Sequence, residues 1–538
     1  MAKVVNGKTV TSGQMDKVVN GKTTTEDKSL LKKIYQSIQQ ETSTPIETKI
    51  IGKVPTWLKG NLLRNGPGKF EIGEDRVDHF FDGLSFLHRF IIEEGGKVKY
   101  QGRFLRSDIY EKALKHQRLT FNGFGTPARH PDPCKTLFQR IFSFFKIELP
   151  DNCNVNWLKV GDEYYTMTET PLIKKMNVDK LDVLDTVNLE KIVGVHTATA
   201  HPHVGHDGTV YNLGTAMSRQ CKYCIIKVPP SNNQNEGEDA ISTASILSSI
   251  PASSYTPTYY HSFGITENYI VFVEQPLHIN MFKVFFGRLL NKPMSHCMNY
   301  YPDAKVRFHL IRRDDGTVVE TRYLADAFFC FHHCNAYETS DGKHVVIDMC
   351  CFDDDAVMMR ATMESIRRGD LNVEDCWVRR FVLPLGNQTK VGENLVTMAG
   401  SEASAKLNND GSFHCVPEQL CDINLELPQV NYADYNGRDY TYLYGVGGTM
   451  QTLHKVNVKT HQVQTWSSPG CFPSEPIFVG APTKESEDDG VILSCVTNLA
   501  DDKEPPYLLV LDARTFKEIA RAVIPVPVST FGIHGIFV

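Results

Sequence analysis

The sequence predicts an all-β fold, built from hairpins and closed into a propeller. Three features point there. Strand, tight polar turn and strand recur along most of the chain, long helical periodicity is scarce, and no run of about 18 apolar residues could cross a membrane as a helix. Antiparallel hairpins in such number must hide their edges, and radial closure does so with short blades.

The N-terminal stretch stands apart. Residues 1–28 hold no aromatic, and KVVNGKT at 3–9 returns at 17–23, 14 residues on. Two polar copies cannot stack as a solenoid, so a disordered extension is expected. It lacks Arg and carries Asp16, Glu26 and Asp27, a poor match to a transit peptide. A short helix is expected over 30–40. The boundary then falls near Ile46, giving a tail over 1–45 and one propeller domain over 46–538.

Hairpins are expected at 175–178 with 183–187, at 454–458 with 462–466, and at 508–511 with 517–523. Another joins 307–311 to 317–324 through Asp314, Asp315 and Gly316, where Asp-Gly is a strong turn signal. Further strands are expected at 269–274, 344–349 and 491–496. The best helix candidate is 355–368.

Composition narrows the function. With 41% hydrophobic and 10% aromatic residues in 538, the chain can bury a large core. A formal net charge of −6 argues against a nucleic-acid binder, which needs a basic surface. Fourteen Cys without regular spacing read as reduced thiols. The pair Cys221 and Cys224 is a lone C-x-x-C, too weak for zinc.

Among 19 His, the residues His88, His116, His130 and His461 have polar neighbours and are expected in solvent. Four others end apolar or aromatic strands: His201 (TAHPH), His261 (YYHSFG), His332 (FCFHH) and His534 (FGIHG). Their gaps of 60, 71 and 202 residues exclude a helical zinc motif and would suit one ligand per blade at an axis. Spacing alone favours four satisfied core histidines over a metal site.

These segments occur in order with 62–71 (LLRNGPGKFE), 80–83 (FFDG), 131–135 (PDPCK), 168–170 (TET) and 473–478 (PSEPIF). From about Ile46 to Val538 the chain thereby resembles the carotenoid cleavage oxygenases. Residues 62–75 and 259–277 most resemble the animal members that cleave β-carotene eccentrically at 9′,10′. Members that cleave centrally at 15,15′, and the retinoid isomerohydrolases, share the framework, as would a carotenoid-binding propeller without catalysis. The resemblance implies seven blades under a cap of helices and loops. It also implies Fe(2+) on the axis, held by His201, His261, His332 and His534, with O2 and a carotenoid as substrates. His332 is taken over His333 because the family pattern puts the ligand first, and His203 falls outside the matched position. Family motifs place outer carboxylates at Glu169, Glu426 and Glu475.

A carotenoid is apolar, so its enzyme must draw it from lipid through an aromatic tunnel. Residues 136–149 (TLFQRIFSFFKIEL) set Phe138, Phe142 and Phe145 at helical spacing among basic residues, and 281–292 (MFKVFFGRLLNK) repeats the mix with Phe285 and Phe286. Both are expected to dock on a membrane, with Cys134 a candidate for palmitoylation. The expected compartment is the cytoplasm, membrane-associated; the mitochondrion of the animal relatives is the alternative.

Overall fold

The computed structural model describes residues 30, 33–127, 149–217, 220–230, 239–253, 256–289, 292–370, 373–386, 390–499, 505–529 and 532–538. Cys134, Phe138, Phe142 and Phe145 lie outside them, as does most of the N-terminal extension. The side chain of Phe285 is also outside.

Strands dominate, and among the described residues they form six sheets of four to seven strands and two short ribbons, antiparallel except where Arg322–Ala325 runs parallel to Ser412–Val416. The first combines Thr42–Glu47, Val98–Phe104, Leu84–Ile92 and Gly60–Lys69 with His534–Phe537 from the far end of the chain. The last combines Gly490–Asn498, Tyr507–Asp512 and Lys517–Val523 with Lys49–Gly52 from near the beginning. Each terminal unit is thus completed by a strand from the other end. Each end of the chain is thereby tied into the sheet built from the other end, the kind of closure a propeller uses.

One strand serves two blades. In Glu418–Gln429, Glu418 and Gln419 pair with Arg380 and Arg379, whereas Leu425, Glu426 and Gln429 pair with Gly447, Val446 and Tyr444. The register breaks after Glu426, and Leu427 takes a left-handed φ of 52°. A bulge with such a residue re-aims the neighbouring side chain, and here it turns Glu426 into the core.

The expected hairpins form, with some differences. Val306–Arg312 turns at Gly316 (φ 76°), but the return arm is a bridge at Val318 followed by Arg322–Ala325. Helix 355–368 is two short helices, Ala356–Arg360 and Met363–Arg368. The break is tertiary: Thr362 bridges to His79, and Ala361 O accepts the Phe80 N–H at 3.0 Å. The helix expected over 30–40 stops by Tyr35. Beyond it Ser37 Oγ accepts the Phe70 N–H at 2.8 Å and Ile38 N–H reaches Gly68 O at 2.7 Å, so docking on the first blade replaces helix propagation. Ile34, Tyr35 and Ile38 are core residues.

His88 corrects the sequence reading. It is buried, with Nδ1 2.9 Å from Tyr100 Oη, and burial, with a smaller effect of Arg64, pushes its pKa down to about 3. The thirteen described cysteines are all buried, and none of them forms a disulfide with another.

Candidate metal centre

Each of the four selected histidines arrives from a different blade. His201 lies between Thr197–Ala198 and His203–Val204, His261 just before Gly264–Ile265, His332 within Phe329–Glu338, and His534 opens His534–Phe537. One ring nitrogen from each lies within 4.8 Å of the other three. His201 Nε2 is 3.0 Å from His261 Nε2, and His332 Nε2 is 3.2 Å from His534 Nε2.

The three carboxylates fix the rings from behind. His261 Nδ1 is 2.5 Å from Glu169, His332 Nδ1 is 2.6 Å from Glu426, and His534 Nδ1 is 2.8 Å from Glu475. A carboxylate only accepts, so each Nδ1 carries the proton and each Nε2 presents a lone pair. Between His332 and His534 two such lone pairs face each other at 3.2 Å, and they repel unless a cation sits between them. Burial, reinforced by the neighbouring imidazoles, holds His201 far below the usual imidazole range. His534 is pushed down to about 4, mainly by burial and against the pull of Glu475. Neutral rings are the ligand form.

The carboxylates are themselves held. Tyr259 Oη donates to Glu169 at 2.9 Å. Glu426 takes the Leu427 N–H at 2.5 Å, a bond that the left-handed Leu427 permits. Glu475 accepts Arg64 Nη1 at 2.5 Å, Gln429 Nε2 at 2.8 Å and Gly535 N–H at 3.1 Å. Burial works to raise the Glu475 pKa, but His534 and Arg64 outweigh it and hold the carboxyl below its ordinary value. Three carboxylates and one guanidinium leave two negative charges, which a divalent cation among neutral imidazoles would balance. The donor set fits a metal.

His333 and His203 stay out of the cluster. His333 Nδ1 faces Ser262 Oγ at 2.8 Å, and His203 lies between Tyr432 Oη and Phe263 O at 3.0 and 2.9 Å. Sequence reasoning missed Arg64, Tyr259 and Gln429. Arg64 had a visible signal, a charge directly after the apolar pair Leu62 and Leu63.

A family model described as retinal pigment epithelial membrane protein matches residues 35–538. The chain belongs to that family. It is 38% identical over 525 residues to the chicken β,β-carotene 15,15′-dioxygenase, covering 94% of this chain and 98% of that protein. It is 38% identical to a ferret protein named carotenoid-cleaving dioxygenase, mitochondrial, over 522 residues, 93% of this chain and 95% of that one. The protein is an oxygenase. Its fold matches an apocarotenoid oxygenase of Synechocystis with a TM-score of 0.74 at 22% identity, covering 95% of this chain and 98% of that one.

Proposed function

We propose that the four histidines hold Fe(II) and that the protein adds O2 across one double bond of a carotenoid, giving two carbonyl products. The observation that carries this reading is the convergence of four imidazole nitrogens, with three of the rings oriented by carboxylates. Iron bound there would supply O2 activation, since four neutral donors leave coordination positions open.

The chain's own residues supply the apolar approach. The Phe331 ring lies 5.3 Å from that of His261, Phe81 lies 6.2 Å from Phe331, and Phe124 lies 5.6 Å from Phe81. Phe124 O then accepts the Ser295 N–H at 2.7 Å, which brings the line to the segment following helix Met281–Leu289. On that helix Phe282 is 74% and Phe286 52% exposed, while Met281 and Val284 pack inward. No helix among the described residues is long and apolar enough to cross a membrane. Surface docking through Phe282 and Phe286 would place the mouth of the aromatic line at a lipid source. Residues 136–149 remain a second docking proposal, and Cys134 a proposed palmitoylation site. The compartment proposed is the cytoplasmic membrane surface, with the mitochondrion named for the ferret relative as the alternative.

Central cleavage at 15,15′ is the better supported bond. The chicken and human relatives carry it in their names, at 38% and 36% identity over 94% of this chain. The 9′,10′ reading rests on the motifs at 62–75 and 259–277. Product analysis with β-carotene separates them: retinal alone means central cleavage, an apocarotenal with ionone means eccentric cleavage. Isomerised retinol from a retinyl ester, with carotenoid untouched, would contradict both.

A further inference from the structure

Two side chains stitch together the segments that carry His261 and His332, although these segments belong to different sheets. Ser262 follows His261. Its Oγ donates to Phe331 O at 2.7 Å, and it accepts the His333 N–H at 3.0 Å. The His333 ring lies 2.8 Å away through Nδ1. A hydroxyl has one proton, already given to Phe331, so His333 Nδ1–H must be the donor. On the other flank, Gln275 Nε2 donates to Tyr259 O at 3.0 Å and to Cys330 O at 3.2 Å, while its Oε1 accepts the Cys330 N–H at 2.9 Å. Tyr259 and Cys330 each stand two residues before a histidine of the centre; Ser262 and His333 each stand one after.

We infer that Ser262 and His333, with Gln275, are positioning residues that set the separation of His261 from His332. The inference rests on the reading of both as metal ligands. Strands of one sheet are registered by their ladder, but ligands from two sheets need another device. Here the imidazole centroids are 4.9 Å apart at 80°, and a metal tolerates errors of only about 0.5 Å and 10–20° in such a set. Ser262 and Gln275 are buried, so these bonds do not compete with bulk water. Successive side chains of a strand face opposite ways. His333 therefore spends its ring on the stitch while His332 faces the centre.

The test is anaerobic titration of the metal-free full-length protein with Co(II), read by chelator competition and by the visible ligand-field bands. Ser262→Ala should bind Co(II) about 10–100-fold more weakly with shifted bands, the usual scale for losing an outer partner. Ser262→Thr, which keeps the hydroxyl, should restore both readouts. His333→Phe removes only the ring bond and should weaken binding less than Ser262→Ala, which removes all three, and the double variant should be no worse than Ser262→Ala alone. Wild-type affinity and bands in Ser262→Ala would overturn the stitch. If that variant does not fold, wild-type behaviour in His333→Phe overturns it instead. Failure of the wild-type protein to bind Co(II) would overturn the metal reading itself.

Discussion

Arg64 Nη1 lies 2.5 Å from one oxygen of Glu475, and the other oxygen meets His534 Nδ1 at 2.8 Å. Both side chains of the ion pair are almost fully buried. Arg64 also donates to Gly532 O and Ile533 O at 2.9 and 3.2 Å, gripping the turn that delivers His534. Removing one partner of such a pair strands the other charge in the core, at a cost of about 3–5 kcal/mol. Arg64→Met should therefore lower denaturant stability by that amount and weaken metal binding. Arg64→Met with Glu475→Gln should recover part of the stability but not the metal affinity. An Arg64→Met protein of unchanged stability would show that the pair is not what anchors the C-terminal strand.

Outer carboxylates should matter unequally. Glu169→Gln, Glu426→Gln and Glu475→Gln keep shape and remove charge, and each should weaken metal affinity by about 10–100-fold. Glu475, 2% exposed in its side chain, should sit at the upper end, and Glu169, at 28%, at the lower end, where water screens more of the charge. Chelator competition on the three variants gives the ranking. Equal and wild-type affinities would mean the charges do not act on the metal.

Much of the blade architecture is legible in the sequence because its hairpins announce their turns: Gly316, the pair Lys459 and Thr460, and the turn over 512–515 all lie between paired strands. Tertiary bonds explain the failures. His88 looks polar in context, yet its strand is sandwiched in the first blade and Tyr100 satisfies its ring. Helix 355–368 breaks because Thr362 pairs with His79, a partner far away in sequence. The four histidines were legible only through resemblance, since no spacing rule links ligands from separate blades. Which carboxylate serves which ring depends on blade adjacency and on the bulge at Leu427, neither of which leaves a local signal.

Acid should destabilise the fold through two buried neutral histidines outside the four-histidine cluster. Burial lowers His88 to about 3, with Arg64 adding to it, and His454 to about 4. Both are depressed below the unfolded value near 6.5, so the unfolded chain takes up protons first as pH falls. Their stabilisation is complete above about pH 6.5 and is lost toward the folded pKa, each contributing at most about 1.4 kcal/mol per pH unit. Chemical denaturation at pH 7 and pH 5 should show the loss, and His88→Asn or His454→Gln should flatten it. An identical pH slope in both variants would assign the acid sensitivity to other groups.

Membrane docking should depend on exposed aromatic area. Phe282→Ser with Phe286→Ser, or Phe285→Ser with Phe286→Ser, removes several buried methylene equivalents at about 0.8 kcal/mol each. These variants, and Phe142→Ser with Phe145→Ser, should sediment less with liposomes and turn over liposomal carotenoid slowly. Metal content and activity on detergent-dispersed substrate should hold. Unchanged sedimentation in all of them would place the lipid contact elsewhere.

Metal content tests the four-histidine centre most directly. After anaerobic Fe(II) loading and removal of free iron, the wild-type protein should carry about one iron per chain. His201→Ala, His261→Ala, His332→Ala and His534→Ala should each lose iron and turnover, whereas His333→Ala should still fill with iron at saturation, since its ring faces Ser262. Less than about half an iron per wild-type chain, or full iron and activity in any one of the four ligand variants, would contradict the assignment.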